Sequence, residues 1–572
     1  MRERARNWPV MVFSYGILPS FLKEEAAINI LKEEAYRMNE LWNKLVEIGR
    51  KYLETYSSNI EEDPAIAPLI SQRKEIENTL EETDKQIKQL RIKLKTKKHP
   101  ALAELEEKKR ELRRQLREIK ASIRETKKQV KEKYREVFAQ MEEEVKEAVK
   151  KAPLYWCNKE VVRDKFWAAW RGVKNGNIPK FHRFDDRWCL TWRFTGGGMP
   201  VKDAFRKVLS GIVPPEVYKL PTKKRNKMAN LTCLFRQGEY RILVPIILHR
   251  PLPEGGYIKR VTFVRRPYGR DRVRLFLNFT VEVPPDKYYL PVREERKGKI
   301  AALELGFRKV DGRIRVGVLY DPFTEEKFRE IFIPQNIPER LEKVRKGQSK
   351  ADEELEDIKN DLSKWLVEPQ VLPKLPEEIK KLITNRVAWV KTRDRGVWKV
   401  INLLKESGAD PAAARNVERR MLKREKFLND LQRTRIKALG ARKRFYENLA
   451  KEIFDRYEML IIKDISLKKL ALKEMAEQLP DEARWVRFVA ALGELVGCLE
   501  RRAERTKGVL VKLDPAYLTR TCHICNHINN PNRPEKLFWT CEKCGTKWDQ
   551  DKNAAVNLYE QGIERLKLAQ TG

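Results

Sequence analysis

The chain has 572 residues, with 121 Lys and Arg against 83 Asp and Glu and a formal charge of +38. That length exceeds what one hydrophobic core organises and implies about three or four domains, while basic residues spread along the whole chain point to a large polyanion, nucleic acid first. A membrane span is excluded, because the longest apolar run, Ile242 to Leu248, is short and broken by Pro245, and Met1 to Pro9 is too basic and polar for a secretory signal.

In chain order, Trp8 to Tyr15 (WPVMVFSY) is β-prone but too short to fold alone, so it is expected to pair with later strands. From Phe21 to about Tyr56, Leu31, Met38, Leu41, Leu45 and Ile48 recur at helical steps, and Pro64 and Pro68 mark a break. Between Leu69 and Met141, Ile76, Leu80, Ile87 and Leu94 form one apolar seam. Leu105, Leu112, Leu116, Ile119, Ile123, Val130 and Val137 form another, and Lys97-Lys98-His99-Pro100 separates the two. This predicts an antiparallel helical hairpin of coiled-coil type. Its Lys- and Arg-rich outer faces are either a solvated surface or a nucleic-acid track.

Aromatic residues thicken after Trp156: Phe166, Trp167 and Trp170 on a helix, then Phe181, Phe184, Trp188, Trp192 and Phe194 before Gly196-Gly197-Gly198. Core packing and base stacking both remain open for them. Thr232 to Phe235, Glu239 to Leu248 and Tyr257 to Val283 predict antiparallel strands of a small β-barrel or sheet, with Trp8 to Tyr15 as a candidate extra strand.

From Lys299 the pattern changes to a buried strand, a turn at Asp311-Gly312 and a second strand, the way an RNase H-like core begins. A Lys- and Glu-rich helical insertion follows at about 338–410. Next come a long basic helix from Asn416 to Arg456, a strand from Glu458 to Ile462, a helix from Glu482 to Lys507 and a strand from Val509 to Leu513.

Two Cys-x-x-Cys knuckles, Cys522/Cys525 and Cys541/Cys544, are then separated by fifteen residues. Four thiolates at that spacing close a tetrahedral structural zinc site with no open position. Paired disulfides or a redox dithiol are the weaker readings, since the remaining cysteines are scattered and no thioredoxin-like pattern surrounds these. Seven residues past Cys544 comes Asp551, in Asp-Lys-Asn-Ala-Ala at the mouth of a helix expected from Asn553 to Leu566. A lone Asp there is ordinarily a cap.

The knuckles followed by D-K-N-A-A resemble the C-terminal end of the RuvC-like nuclease domain in type V CRISPR effectors and their transposon-encoded relatives. Cleaving members carry Asp in an apolar-D-L-G frame, Glu at the end of a later strand, and Asp before x-N-A-A. Here the first frame is Leu303-Glu304-Leu305-Gly306, the second is Ile461-Ile462-Lys463-Asp464-Ile465, and only Asp551 matches. A two-metal site needs bridging carboxylates. Exchanging −1 for +1 at about 4 Å from a dication turns an attraction of about 8 kcal/mol into a repulsion of similar size at an effective dielectric of about 20. Asp464 could substitute only through a bulge, because neighbouring strand residues face opposite ways.

With His182 to Asp185 reading HRFD ahead of the barrel, the whole chain is similar to the binding-only type V-M effectors. The resemblance implies a multi-domain α+β protein: a wedge strand (1–16), a helical recognition lobe (17–180) with its coiled-coil hairpin (69–141), a wedge β-barrel (181–297), an RNase H-like RuvC domain (298–520) with an insertion (338–410), a zinc ribbon that binds target nucleic acid (521–545) and a closing RuvC-like helix (546–572). It implies zinc on Cys522, Cys525, Cys541 and Cys544, no DNA-cleaving residues, and at most weak magnesium on Glu304 and Asp551. It also implies a CRISPR guide RNA, a double-stranded DNA target with a short T-rich PAM, and a monomeric ribonucleoprotein in the prokaryotic cytoplasm that silences invaders by occupancy. Trimming of precursor guide RNA stays open. The rival readings are a transposon-recruiting effector, an active nuclease using Glu304, Asp551 and an acid such as Asp464, Asp514 or Asp549, and an unguided architectural binder.

Overall fold

A computed structural model describes residues 8–94, 100–130, 136–173, 177–185, 187–194, 197–201, 225–235, 238–268, 272–369, 371–384, 389, 392–408, 411–464, 480–514, 516–530 and 537–571. Lys97, Lys98, His99, Gly196 and Ile465 lie outside the described residues, as does part of the stretch between the cysteine knuckles. Contacts divide the chain into two compact units, chiefly Met11–Arg265 and Val283–Gly572. No helix among the described residues is long and apolar enough to cross a membrane.

In the first unit, α1 (Glu25–Glu61) buries Leu31, Met38, Leu41, Leu45 and Ile48, the positions its periodicity picks out. Two helices, α2 (Ala67–Leu94) and α3 (Pro100–Val130), pack together with Ile87, Leu112, Ile123 and Val130 buried. Residues 131–135 of the second seam lie outside the described residues; beyond them Val137 and Met141 belong to α4 (Glu136–Lys151), which packs on α1. After α5 (Trp156–Trp170) the chain turns to strands.

These strands are β1 (Val10–Gly16), β2 (Trp188–Arg193), β3 (Met199–Pro200), β4 (Arg225–Phe235), β5 (Gly238–Leu248), β6 (Tyr257–Pro267) and β7 (Val273–Glu282). One sheet runs β1-β7-β6-β2 with β3 also on β6, and β4 pairs with β5 as a separate hairpin. A bridge from Ile17 to Ile246 joins the two pieces. The early run at Trp8 to Tyr15 does find its partner late in sequence, as its length requires. Trp188 and Trp192 are buried in β2, so for these two rings core packing is the outcome.

The second unit is built on a five-stranded sheet in the order β10-β9-β8-β11-β12. Its strands are β8 (Ile300–Val310), β9 (Arg313–Tyr320), β10 (Phe328–Phe332), β11 (Met459–Lys463) and β12 (Val509–Leu513). The first three pair antiparallel, while β11 lies parallel to both β8 and β12. The β8–β9 turn uses Asp311 at φ 47° and Gly312 at φ 74°, the left-handed pair that a tight hairpin demands. The short edge strand FREIF carries two adjacent charges, Arg329 and Glu330, and sequence patterning overlooks it.

Helices α6 (Asn336–Leu366), α7 (Glu377–Thr384) and α8 (Asp394–Ser407) fill the insertion and share a core around Leu355, Ile358, Val397 and Ile401. The long α9 (Pro411–Arg456) packs on α6. The helix expected from Glu482 to Lys507 is instead two, α10 (Asp481–Ala490) and α11 (Leu492–Thr506), with Ala491 left-handed at φ 40° between them. The cause is tertiary. Arg442 Nη1 on α9 donates to the carbonyls of Phe488 and Val489 at 2.9 and 3.1 Å, and the Tyr446 hydroxyl donates to that of Ala490. Partners from another helix hold the end of α10 open, and the left-handed residue itself is an alanine, neither Gly nor Pro.

Candidate functional site

Two clusters flank the start of the last helix, α12 (Gln550–Thr571). The first is the four cysteines, whose sulfurs all lie within 4.8 Å of one another. Tetrahedral metal–sulfur bonds of about 2.3 Å give sulfur–sulfur edges of about 3.8 Å, and Cys522–Cys544 and Cys525–Cys541 both measure 3.6 Å. A disulfide is far shorter, at about 2.05 Å. Each knuckle closes on a left-handed residue, Asn526 at φ 55° and Gly545 at φ 71°, whose amide returns to the carbonyl of Cys522 or Cys541. The set fits a tetrahedral, sulfur-loving ion with every position taken by protein.

The D-K-N-A-A motif fastens this module to the sheet. Asn553 is fully buried, accepts from the His523 amide at 3.1 Å and donates to the Thr521 carbonyl at 2.7 Å. One turn on, Asn557 donates to the carbonyls of Leu518 and Thr521. Between them Ala554, with Leu558, packs into the apolar cluster of Ala302, Ile461 and Leu513. Small residues there let α12 lie close on β8 and β11.

The second cluster gathers the acids. Glu304 on β8 is 2% exposed and accepts from Lys463 Nζ at the end of β11. Asp551 receives Arg315 Nη2 and lies 3.6 Å from Arg308 Nε. Arg315, 1% exposed, also donates through Nη1 to Asp549 and Glu330, both at 2.9 Å, and Lys552 meets Glu330 at 3.1 Å. Four carboxylates therefore face four cations, and the formal charge of the group is zero. Asp549, not Asp551, caps α12: its Oδ1 accepts from the amides of Asp551 and Lys552 at 2.9 and 3.2 Å. The helix accordingly starts earlier than Asn553.

Burial pushes the Glu304 carboxyl above the ordinary carboxylate range; Lys463 pulls it back, and Asp551 adds to the rise. Burial also opposes the Arg315 charge, but Asp549, Asp551 and Glu330 outweigh it and hold the guanidinium above its usual value. For Glu330 the pull of Arg315 and Lys552 exceeds the effect of burial and leaves its carboxyl below the usual value.

Of the other acids weighed from the sequence, Asp549 is brought into the cluster through Arg315, and Asp464 and Asp514 are not. Strands β11 and β12 pair without a register shift through Lys463 and Leu513, so no bulge turns Asp464 inward. Asp514 is exposed and accepts from the Ala516 amide at 3.0 Å. Arg308, Arg315 and Glu330 are the members that sequence reading misses, and with them the pairing of Asp549. In RIRVGVLY the arginines alternate as solvent-facing residues do, so nothing local marks Arg315 as buried.

Residues 493–558 match the family described as Cas12f1-like, TNB domain. Over its length the chain is similar to proteins named CRISPR-associated DNA-binding protein Cas12m. That of Pelobacter propionicus is 26% identical over 92% of this chain and 84% of that protein, and that of Thermanaerosceptrum fracticalcis is 27% identical over 72% and 70%. Among solved structures, a cryo-EM Cas12f1–sgRNA–target DNA complex aligns over 97% of this chain and 99% of that one at 12% identity, with a TM-score of 0.38. The likeness in sequence through most of the chain, with the matched C-terminal domain, supports a compact type V effector, Cas12m-like.

Proposed function

We propose that this chain is a CRISPR RNA-guided, PAM-dependent binder of double-stranded DNA that silences its target by occupancy and does not cut it. The relatives are named DNA-binding proteins, the charge of +38 suits a channel for a guide–target duplex, and the strand order of the second unit's sheet, with three antiparallel strands beside two parallel ones, supports reading it as an RNase H-like, RuvC-type core. The observation that carries the reading is the pairing of each candidate metal-binding carboxylate with an internal cation: Glu304 with Lys463, and Asp551 with Arg315 and Arg308.

Two-metal phosphodiester hydrolysis requires carboxylates free to bridge two dications about 3.5–4 Å apart. Here a cluster of zero net charge would have to accept four more positive charges and expel a buried guanidinium. Magnesium on Glu304 and Asp551 is therefore weak at best, and no step of chemistry is assigned to it. On this reading the four cysteines hold structural zinc, which ties the target-binding module to α12 and supplies no reaction. Base pairing reads the target, the protein reads a short T-rich PAM, and the guide-loaded complex acts as a monomer.

The test loads the chain with guide RNA, adds target duplexes with a randomised flank in magnesium, and follows gel retention and strand integrity. Retention selecting a short flank, with both strands intact, is expected. Nicked or cut strands that disappear in Asp551→Ala overturn the reading and favour a rearranged nuclease site. Flank-selective retention that also captures transposition proteins moves it to the transposon-recruiting class.

A further inference from the structure

Residues 177–185 form a strap without regular secondary structure that neither cluster uses. Its main chain needs hydrogen-bond partners, and α1 supplies them. Trp42 Nε1 donates to the Lys180 carbonyl at 3.0 Å, and Arg50 Nη2 to that of Pro179 at 3.2 Å. Asn43 grips His182 at both main-chain groups: its Nδ2 donates to the carbonyl at 2.9 Å and its Oδ1 accepts from the amide at 2.7 Å. Asn39 Nδ2 adds a second donor to the same carbonyl at 3.1 Å. The helix thus does for this segment what a neighbouring strand would do. The main chain is committed inward, and side chains are what the strap offers to solvent.

Those side chains are planar rings and cations. His182 stacks on Trp42 with ring centroids 4.7 Å apart and planes 11° from parallel, yet remains exposed on its other side. Phe181 is 51% exposed, with the Arg50 guanidinium 4.8 Å above its ring. Phe184 is tied down edge-on against Tyr36. Together with the exposed Lys165, Arg183 and Arg187 they line a cavity of about 630 Å³. The charged groups of these three cations have no hydrogen bond or ion pair among the described residues, while the acid of the cavity, Asp185, is engaged by the Arg187 amide at 2.8 Å.

We propose that this strap is a stacking site for an unpaired base of single-stranded RNA, with the base on the free face of His182 opposite Trp42, Phe181 beside it, and Lys165, Arg183 and Arg187 on the flanking phosphates. The proposal deepens the RNA half of the guided reading and rests on it for the source of the strand. An exposed ring already held flat by a second ring loses little freedom when a base settles on it, and stacking tolerates any base because each has a π-face. Duplex DNA hides those faces in its own stack and offers edges and phosphates instead, so the geometry favours the unpaired strand. Three cations beside the rings, without an ion pair among the described residues, supply the charge that a sugar–phosphate chain needs.

The test uses the full chain and a single-stranded RNA of about 15 nucleotides carrying 2-aminopurine, whose fluorescence is quenched on stacking, at raised salt so that phosphate contacts elsewhere are weakened. His182→Ala is expected to weaken binding about 10-fold and to abolish the quenching, whereas His182→Trp keeps both. Phe181→Ala loses a smaller part. A DNA duplex of equal length is expected to bind wild type and His182→Ala alike. Unchanged quenching in His182→Ala overturns the proposal, as does a His182→Trp variant that behaves like Ala, or a loss that falls equally on the duplex. Intact guided retention with unchanged quenching sinks this site alone; normal quenching with no guided retention sinks the guided reading and leaves the site standing.

Discussion

The cysteine cluster and the carboxylate cluster sit on either side of the same helix start, and they solve the problem of converging like ligands in opposite ways. Four sulfurs converge within 4.8 Å with no ion pair to a side-chain cation among the described residues, which is the arrangement of ligands waiting for an ion. Four carboxylates converge on Arg315, Arg308, Lys463 and Lys552, the arrangement of ligands that already have their ions. A cluster keeps its metal only where the chain has not supplied the charge itself.

The largest expected effect tests the first half of that contrast. Cys541→Ser removes a buried ligand, and loss of a structural metal is expected to cost on the order of 10 kcal/mol of local stability. Metal analysis should fall from one ion per chain to none, and hydrogen exchange across residues 516–549 should rise. An unchanged metal content breaks the comparison.

Arg315→Met tests the second half. It strands Asp549, Asp551 and Glu330 without their shared cation, and breaking such a buried set costs about 3–5 kcal/mol. Thermal unfolding should show that loss at low divalent concentration, and millimolar magnesium should recover part of it in the variant but not in the wild type. If magnesium stabilises both equally, the carboxylates were already open to metal.

Lys463→Gln leaves Glu304 buried beside Asp551 with no cation of its own. Because burial raises the folded Glu304 carboxyl, the folded state holds the extra proton. That contribution to stability is complete below the unfolded value of about 4.3 and is lost as pH rises through the folded value. Removing Lys463 moves the folded value further up, so the loss in the variant should extend to higher pH than in the wild type, by about 1–3 kcal/mol near neutrality. Lys463→Glu should still leave DNA intact in magnesium, since Arg315 remains on Asp551. Coincident pH–stability curves would show that Lys463 does not govern the Glu304 carboxyl, whereas cutting by the Glu variant would show that Lys463 alone keeps the site inactive.

The smallest effect concerns the helix both clusters share. A Cβ at Gly562 would lie 2.4 Å from Ile461 Cδ1, so Gly562→Ala must lift α12 or twist the isoleucine and should cost about 1–3 kcal/mol in a denaturant titration. Metal content should be unchanged, because the cysteine module is fastened through Asn553 and Asn557 and not through this contact.

Much was legible in the sequence because much of it is local. The α1 core positions follow from a helical period, the Asp311-Gly312 turn from backbone sterics, and the cysteine cluster from a spacing that constrains four ligands at once. Glu304, Lys463 and Asp551 could be singled out one at a time, and the charge reversal at Lys463 could be weighed without coordinates. Arg315 could not: whether an alternating arginine faces solvent or core depends on which helix covers that face of β9. The break at Ala491 likewise belongs to Arg442 and Tyr446, about fifty residues earlier in the chain, and the cap, the ordinary role of a lone Asp at Asp551, falls to Asp549 because the helix begins sooner.

By itself, the sequence determined the chemistry of the parts: a tetrad of thiols, a basic chain without a span, and an acidic site with a lysine where an acid was needed. The tertiary structure decided which charges meet. Ion pairing is a property of distance and burial, set when α12 lies down on β8, β9 and β11, and only then does a row of arginines become the counter-ion of Asp551.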